Sequence, residues 1–517
     1  MSEIVNKSLQ KVAKGTAIIF IGTIIGMFLA FIGRVIIIRY TTQSEYGIFS
    51  IALVLLNILA LVSTLGLQQG VVRQIAYFMG KEEGKKVNNI IKSSIQIILI
   101  SSFLFSISLF ILSDVISSKL YHIPELSIPL KIFAITIPFF VFNSIFSAIF
   151  RGFGKTEPNI YFQNILINVL QIICMGFVII ISLSFINLIY AFSVSIILTC
   201  TIFAFYTAKK IHIPVKDLLN NTDSMKKSLL IFSLPLMTAN IMFMVITWTD
   251  TLMLGYFTTP DVVGLYNSAV PLAHLIPVVL SSMLFLYVPI ASQLYSQNLL
   301  DEMKRNYAIL TKWIFSLTLP LFFIMFLFPE TLLSNLFGSR YVEASAVLKI
   351  LSLGMFVNTF LGPNAATLMT MGKTRFLMLT NFTGAILNIL LNLVLIPSYG
   401  IMGAAIASAI SISLINFLNS TWLYLLFRIH PFTKNYMKPV LLSILMVAII
   451  STYLKSKFII IPLWMLIIFL ILFTGLYGIS ILITKSIDKE DLMLLLSAEK
   501  RLGLNLTSIK NFMKSFI

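Results

Sequence analysis

Charged residues are scarce in this sequence. Asp, Glu, Lys and Arg make up 11% of the 517 residues, whereas 58% are hydrophobic, and the mean hydropathy is +0.98. A soluble globule needs more polar surface than this, because about a quarter of an ordinary soluble domain is charged. The composition therefore excludes a soluble enzyme or binding module and predicts a membrane protein.

Cysteine and histidine are rare, with two and four copies. Cys174 and Cys200 both lie in apolar runs, where small buried hydrophobic side chains are a better interpretation than a disulfide or a redox pair. The four histidines show no metal-ligand spacing, so no metal centre is predicted. The net charge of +18 has no soluble basic module to carry it, which argues against nucleic acid as a partner.

Apolar runs of about 20 residues, each long enough to cross a membrane, recur along the chain. The first run, 15–38, is too long for the apolar part of a signal peptide and no small-residue cleavage site follows it, so it is predicted to be a retained helix. Charges and Pro, Gly or Asn turns separate fourteen predicted helices. These span 17–38, 45–67, 93–113, 130–150, 160–182, 185–208, 228–254, 262–287, 312–328, 346–370, 376–396, 400–427, 437–454 and 459–484.

The basic residues favour one side of the membrane. With the N-terminus in the cytoplasm, the loops predicted inside hold about four times as many Lys and Arg residues as those outside. This bias predicts a multi-pass protein of the cell membrane with both termini in the cytoplasm. The segment past Thr484, "KSIDKEDLMLLLSAEKRLGLNL", has apolar residues at helical spacing and predicts an amphipathic tail at the cytoplasmic interface, and a similar interpretation suits 68–92.

The chain contains an internal repeat. "TTQSEYGIFSIA" (41–52) and "TTPDVVGLYNSA" (258–269) align without a gap, and "GKT" recurs at 154–156 and 372–374 at nearly the same offset. An even number of predicted helices separates the copies, so the two halves have the same orientation in the membrane. The predicted organisation is an all-α fold of two six-helix lobes, 1–216 and 217–430, followed by 431–517 with helices 13 and 14 and the tail.

The repeated "GKT" does not predict a nucleotide site. A phosphate-binding loop of that type needs a glycine five positions before the second glycine, and those positions are Ile149 and Thr367, inside predicted spans. Short basic turns between helices are the better interpretation. Transport by this chain would therefore be driven by a gradient or be passive, and the sequence predicts a transporter and not an enzyme.

Arg34 stands inside the first predicted helix, where a charge near the bilayer centre costs on the order of 3 kcal/mol. It shares a helical stripe with Thr23 and Met27, beside a small-residue packing face of Gly22 and Gly26. Two interpretations stay open. The guanidinium either snorkels outward or pairs structurally, or it faces a wet cavity.

The repeat aligns Arg34 with Thr251, and the neighbouring Asp250 is an acid firmly inside a predicted span. Opposite charges at similar depth in two halves are what a central polar cavity would require. Either the two residues form a direct salt bridge, or Arg34 forms an anion site while Asp250 is protonatable or binds a cation.

Other polar residues at or near the predicted helices are weaker candidates. Those proposed for substrate binding are Arg39, Asn57, Gln68, Arg73, Asn240 and His274. A lone membrane histidine is more often a satisfied contact between helices than a ligand-binding group. Interhelical hydrogen bonding is a sufficient interpretation for Asn164, Asn168, Gln171, Asn388 and Asn392.

The segment "IIIRYTTQSEYGIFSIALVLLNILALVSTLGLQQGVVRQIA" (36–76) resembles the N-terminal signature of the polysaccharide biosynthesis protein family, the O-antigen-type flippases. The residues that carry the resemblance are Arg39, Glu45, Tyr46, Gly47, Gly66, Leu67 and Arg73. The second-half "GLYNSA" (264–269) is similar to its counterpart in the same family. The resemblance implies the superfamily of multidrug and toxic-compound extruders (MATE proteins) and peptidoglycan-precursor flippases, in which two six-helix lobes face each other as a V.

The resemblance implies that the protein moves a polyprenyl- or dolichyl-phosphate-linked sugar or oligosaccharide from the cytoplasmic to the outer leaflet. Arg34 would bind the phosphate, Arg73 would make the first contact near the cytoplasmic mouth, and Asp250 would couple transport to Na⁺ or H⁺. Other than such an ion, no cofactor is expected. The cavity carries fewer charges than that of the peptidoglycan-precursor flippases, which makes that particular substrate a poorer fit.

Two other classes of function remain open. A cation-coupled multidrug exporter would use Asp250 as its cation site and Arg34 only secondarily, and a non-transporting scaffold would need neither residue. The expected partners of a flippase are its lipid-linked sugar substrate, membrane lipids and the glycan assembly machinery, and the protein is expected to be a monomer without nucleic-acid contacts.

Overall fold

The computed structural model describes residues 2–211, 223–432, 462–484 and the single positions 438, 452 and 486. Every regular element within these residues is a helix. The α-helices are α1 (Ser2–Tyr40), α2 (Gln43–Ser63), α3 (Leu67–Gly80), α4 (Gly84–Val115), α5 (Ser127–Gly152), α6 (Glu157–Asn159), α7 (Ile167–Ile180), α8 (Phe185–Ile211), α9 (Asp223–Phe257), α10 (Pro260–Ala273), α11 (Val278–Ser296), α12 (Leu300–Leu327), α13 (Pro329–Phe337), α14 (Ser345–Phe360), α15 (Asn364–Thr370), α16 (Thr374–Phe427) and α17 (Leu463–Ile483). The predicted helix at 437–454 and the tail past Thr484 lie almost wholly outside the described residues.

Many of these helices are long and apolar enough to cross a membrane. The described residues contain 10 such spans, or up to 11 if the bent pair Pro260–Ala273 and Val278–Leu284 counts as one. The span of α16 is 54 residues long and carries a non-helical backbone at Gly400 (φ 54°, ψ −130°), so it is two helices joined at a kink. The predicted class, an all-helical polytopic membrane protein, is confirmed.

Two helices that the sequence predicts as continuous are broken. The predicted helix 262–287 becomes α10 and α11, which meet at a bend of 46°. Pro271 and Pro277 flank this break, and a proline removes a backbone donor and clashes with the preceding turn. The predicted helix 346–370 is likewise divided into α14 and α15, at Gly362 (φ 75°) followed by Pro363.

The chain divides into two compact units by its internal contacts. The first unit comprises Met1–Asn267 with Ile389–Ala404, and the second comprises Ser268–Asn388 with Ala405–Ile517. In the first unit α5 packs against α2, α3, α4 and α8. The ring of Phe49 lies 6.0 Å from that of Phe133 and 5.4 Å from that of Phe192, so three helices share one aromatic core.

The second unit has its own core, in which buried tyrosines find polar partners. The hydroxyl of Tyr287 lies 2.7 Å from Oγ1 of Thr367, and the hydroxyl of Tyr307 donates to the carbonyl of Leu361. These contacts join α11 to α15 and α12 to the break after α14. A tyrosine buried in an apolar environment usually needs such a partner for its hydroxyl, so the bonds stabilise the packing of this unit.

Candidate functional site

Asp250 is a buried carboxylate on α9, with 4% of its surface exposed. It accepts a hydrogen bond from the hydroxyl of Tyr266 on α10 and another from the side-chain amide of Asn392 on α16, whose Nδ2 lies 2.8 Å from Oδ1. Removing a carboxylate from water is costly unless donors replace the lost hydration, and these two side chains supply such donors. We call Asp250, Tyr266 and Asn392 the Asp250 cluster.

A second set of hydrogen bonds lies beside this cluster. Thr251 donates to Oδ1 of Asn267 at 3.0 Å, and the side-chain amide of Asn267 donates to the carbonyl of Val263 at 3.0 Å. The hydroxyl of Tyr46 donates to the carbonyl of Asn267 at 3.2 Å. Two consecutive residues of α9 are thus bound to two consecutive residues of α10, which fixes the position of the Asp250 carboxylate.

The two repeated segments touch at aligned glycines. A Cβ atom added to Gly47 would lie 1.8 Å from the carbonyl oxygen of Pro260, and one added to Gly264 would lie 2.0 Å from that of Gln43. Both distances are far below van der Waals contact, so neither position accepts a side chain. The repeat at 41–52 therefore packs against the repeat at 258–269 through equivalent positions.

The motif "EYG" at 45–47 has a structural role at each position. The side chain of Glu45 accepts a hydrogen bond from the backbone N–H of Thr42 at 2.8 Å, and Thr42 Oγ1 accepts one from the backbone of Glu45 at 3.2 Å. This reciprocal capping box begins α2. Tyr46 then reaches Asn267, and Gly47 permits the close contact with Pro260. The motif builds the junction between the repeats.

Arg34 lies on α1 and is half-buried. The face of α1 that carries Gly22 and Gly26 packs against 160–166, where a Cβ atom on Gly26 would lie 2.7 Å from the backbone oxygen of Asn164. Arg34 lies on a different face, together with the exposed Met27. It makes no hydrogen bond or ion pair with any described residue, so the salt bridge to Asp250, one of the two alternatives, is not formed in this structure.

Three other candidates lie along the first helices of the chain. Arg39 is exposed near the end of α1. The side-chain amide of Asn57 donates to the carbonyl of Leu53 at 2.8 Å, one turn earlier in α2. Gln68 is half-buried at the start of α3, directly after the left-handed backbone of Leu65 and Gly66. Their roles in substrate binding remain predictions.

The remaining candidates lie apart along the chain. Arg73 is exposed on α3, and its guanidinium carbon lies 4.3 Å from the centre of the Phe232 ring. His274 is exposed at the break between α10 and α11. Asn240 is part of α9, but its side chain lies outside the described residues.

Two members of this arrangement, Tyr266 and Asn267, were not predicted from the sequence. Tyr266 and Asn267 occur in the quoted "GLYNSA", where they counted only as part of the repeat. The aligned residues of the first copy are Phe49 and Ser50, so the copies differ at the two positions that bind α9. The signal available in the sequence was that the second copy carries larger polar side chains than the first at these two positions. The sequence predicts interhelical hydrogen bonding for Asn392, and its side chain does bond across to Asp250 on α9.

The arrangement offers one buried carboxylate amid oxygen- and amide-bearing side chains. Over the described part of the chain, no three His, Cys, Asp or Glu residues come together as a metal-binding group. The chemistry available is reversible protonation or the binding of one hard cation by oxygen ligands. An ionisable group inside a membrane span is typical of polytopic membrane transporters.

Comparison with known proteins gives the family. The profile of the polysaccharide biosynthesis protein family matches residues 12–295, and that of the MatE family matches residues 235–394. The first match covers more than half of the chain, which therefore belongs to the polysaccharide biosynthesis protein family.

Individual relatives agree with this assignment. The chain is 24% identical to a putative O-antigen transporter of Shigella flexneri over 390 residues, which cover 73% of this chain and 89% of the relative. It is 27% identical over 180 residues to a probable low-salt glycan biosynthesis flippase, Agl15, of Haloferax volcanii, covering 34% and 38%. The relatives are named as transporters, which confirms the prediction of a transporter and not an enzyme.

A solved structure supports the fold. The lipid II flippase MurJ in an inward closed conformation aligns with a TM-score of 0.68 and 15% identity, over 90% of this chain and 97% of that one. The chain therefore shares its all-helical fold with this structure.

Proposed function

We propose that this protein is a flippase that moves a polyprenyl- or dolichyl-phosphate-linked sugar or oligosaccharide from the cytoplasmic to the outer leaflet, for the assembly of surface polysaccharide or glycan. Membership of the polysaccharide biosynthesis protein family and the names of the Shigella and Haloferax relatives support it. The observation that carries the proposal is Arg34, a half-buried guanidinium without an ion pair among the described residues.

Arg34 would bind the phosphate of the substrate. A guanidinium stays charged at every physiological pH and holds phosphate through two parallel hydrogen bonds. An arginine already engaged by a carboxylate would have to break that pair first. Because Arg34 makes no such pair with a described residue, its donors are available to a passing phosphate.

Asp250 would couple transport to Na⁺ or H⁺. Its position in the Asp250 cluster supports this role, since Tyr266 and Asn392 can orient the carboxylate in either protonation state. A phenol and an amide can reorient so that they donate to a carboxylate or accept from a carboxylic acid. The identity of the ion follows from the driving gradient in the experiment described below.

A cation-coupled multidrug exporter is the second candidate. The MatE profile covers residues 235–394, a range that includes all three members of the Asp250 cluster. In this alternative Asp250 is the cation site, and Arg34 has no part in binding an organic cation.

The finer architecture is part of the same proposal. It has fourteen transmembrane helices, two six-helix lobes in a V at 1–216 and 217–430, and helices 13 and 14 with a tail in 431–517. Both termini would lie in the cytoplasm and the protein would act as a monomer in the cell membrane, close to the glycan assembly machinery.

The deciding experiment is reconstitution of the purified protein in vesicles that contain a fluorescent polyprenyl-diphosphate-linked sugar. Flipping is measured as the labelled lipid that becomes accessible to a membrane-impermeant quencher, with Na⁺ or H⁺ gradients imposed in turn. A flippase moves the lipid and is inert toward ethidium. Exchange of ethidium for Na⁺ or H⁺, without movement of the lipid, would instead establish the exporter.

A further inference from the structure

A cleft lies between α3 and the first turns of α9, within the first unit. Its volume is about 920 Å³, and two helical faces form its walls. From α3 come Arg73, Gln74, Tyr77 and Phe78, and from α9 come Lys227, Ser228, Ile231, Phe232 and Pro235. This volume lies in the range of small-molecule sites, about 300–1,000 Å³.

The charge of the cleft is unbalanced. Its nine lining residues include the cations Arg73 and Lys227 and no acid. One more cation lies over an aromatic side chain of the cleft, since Lys81 is 4.7 Å from the ring centre of Tyr77. Lys86 lies 5.2 Å from the ring centre of Phe78, but it is paired with Glu83 at 2.6 Å. The hydrogen bond with Tyr77 raises the pKa of Lys81 above its ordinary value, so this ammonium group stays charged. Positive charges lie close together here and the lining contains no carboxylate, so the cleft favours an anionic ligand.

The walls of the cleft are fixed by backbone contact. A Cβ atom on Gly66 would lie 2.2 Å from the carbonyl oxygen of Ser233, and one on Gly70 would lie 2.0 Å from Ser233 Oγ. The helices α3 and α9 therefore touch directly beside the cleft. This contact fixes the spacing of the two helices that carry Arg73 and Lys227.

The apolar part of the cleft points to a lipid. Phe232 lies beneath the Arg73 guanidinium, and Ile231, one residue earlier, is 63% exposed on the same helix. A phosphate on a soluble metabolite needs no such surface, whereas the phosphate of a lipid is attached to an apolar chain that can lie against it. Basic side chains at the ends of membrane helices lie at the level of the lipid phosphates.

We infer that this cleft is the docking site for the phosphate of the lipid carrier at the membrane surface, with Arg73 and Lys227 binding the phosphate. The inference rests on the proposed function and places the first recognition of substrate away from Arg34. Arg73 leaves the face of Phe232 when the phosphate arrives, because a charge-assisted hydrogen bond is stronger than a cation–π contact at an exposed site.

The test measures binding to the full-length protein in nanodiscs of neutral phosphatidylcholine. The probes are farnesyl phosphate, farnesol and inorganic phosphate, titrated by microscale thermophoresis. The wild type should bind farnesyl phosphate, and it should not bind farnesol or inorganic phosphate in the same concentration range. Arg73→Gln and Lys227→Gln should each weaken binding by about tenfold, the loss expected for one charge-assisted hydrogen bond. Lys119→Gln, an exposed lysine outside the cleft, should bind as the wild type does.

Three results would overturn the inference. Unchanged affinity in both cleft variants would show that the phosphate binds elsewhere. Equal affinity for inorganic phosphate would show an anion site without lipid specificity, and equal affinity for farnesol would show that the phosphate is not recognised. Flipping is measured on the same wild-type sample, so that failure of the docking site and failure of the proposed function can be told apart. If the sample flips the lipid-linked sugar but the expected binding is not seen, only the docking site is wrong. If the sample shows neither flipping nor binding, the proposed function is wrong as well.

Discussion

Arg34 and Asp250 stand one position apart in the aligned repeats, yet their surroundings differ. Asp250 is buried and bonded to Tyr266 and Asn392, and its neighbour Thr251 is bonded to Asn267. Arg34 is half-buried and makes no hydrogen bond or ion pair with the described residues. Neighbouring positions of the aligned repeats thus differ, one with a carboxyl group held by hydrogen bonds and one with a guanidinium that makes none with the described residues.

This difference supports the different roles that we propose for Arg34 and Asp250. A carboxylate surrounded by its own donors responds to a proton or a small cation, because a larger ligand would have to displace those donors. A guanidinium with unused donors can bind and release a large anion. We therefore expect changes at Arg34 to affect substrate movement, and changes near Asp250 to affect coupling and stability.

The largest effect is expected from Arg34→Ala. Loss of the phosphate-binding guanidinium should lower the flipping rate by about 100-fold, as expected for two lost charge-assisted hydrogen bonds. Arg34→Lys should recover part of the rate, since it restores the charge without the paired geometry. Arg375→Ala removes an exposed arginine on α16 and serves as the matched control. Full flipping by the alanine variant would remove the phosphate role of Arg34.

Gly47→Ala tests the close contact between the two repeated segments, on which the surroundings of Asp250 depend. Its new Cβ atom would overlap the carbonyl oxygen of Pro260, so the hairpins must separate, at a cost of about 1–3 kcal/mol. A lower thermal unfolding midpoint is the expected readout. Gly176→Ala is the control, because a Cβ atom there has nothing within 4 Å, and helix propensity favours alanine. Equal midpoints for the two variants would contradict the close packing of the hairpins.

Asp250→Asn should separate coupling from binding. The amide keeps nearly the same shape but cannot ionise, so flipping should fall by about tenfold and lose its dependence on the Na⁺ or H⁺ gradient. Binding of farnesyl phosphate should be unchanged, in contrast to the cleft variants. A rate that still follows the imposed gradient would exclude Asp250 as the coupling group.

The smallest effect is expected from Tyr266→Phe, which removes one of the two donors named at the carboxylate. We expect the concentration of coupling ion at half-maximal flipping to shift by about fivefold, because one hydrogen bond contributes about 1 kcal/mol and a factor of ten corresponds to about 1.4 kcal/mol. Tyr256→Phe changes an exposed tyrosine of α9 and should leave this concentration unchanged. If both variants respond equally, Tyr266 does not act through Asp250.

Much of the helical organisation was predictable, because apolar length alone decides which segments can cross a membrane. The breaks in the predicted helices 262–287 and 346–370 were less apparent, although a proline lies at each break, Pro277 at the first and Pro363 at the second. Proline inside a membrane helix can be accommodated by neighbouring groups, so its presence does not settle whether the helix is interrupted.

The candidate site was predicted only in part. Asp250 was identifiable because an acid inside an apolar span is rare, and Arg34 for the same reason. The sequence left open whether Arg34 and Asp250 pair. Helical periodicity shows on which face of its helix a side chain lies, but not which other helix packs against that face. Tyr266 was not selected, since a tyrosine in a membrane helix has many ordinary roles.

By itself the sequence determined the membrane environment, the helices and the repeat, which depend on composition and on spacing along the chain. Only the tertiary structure decided that Asp250 bonds to Asn392, 142 residues away, and that Gly47 meets the chain at Pro260. It also brought Arg73 and Lys227 to one cleft. Contacts of this kind join residues distant in sequence, and they are fixed by which helix faces pack together, a choice that similar apolar surfaces leave undetermined.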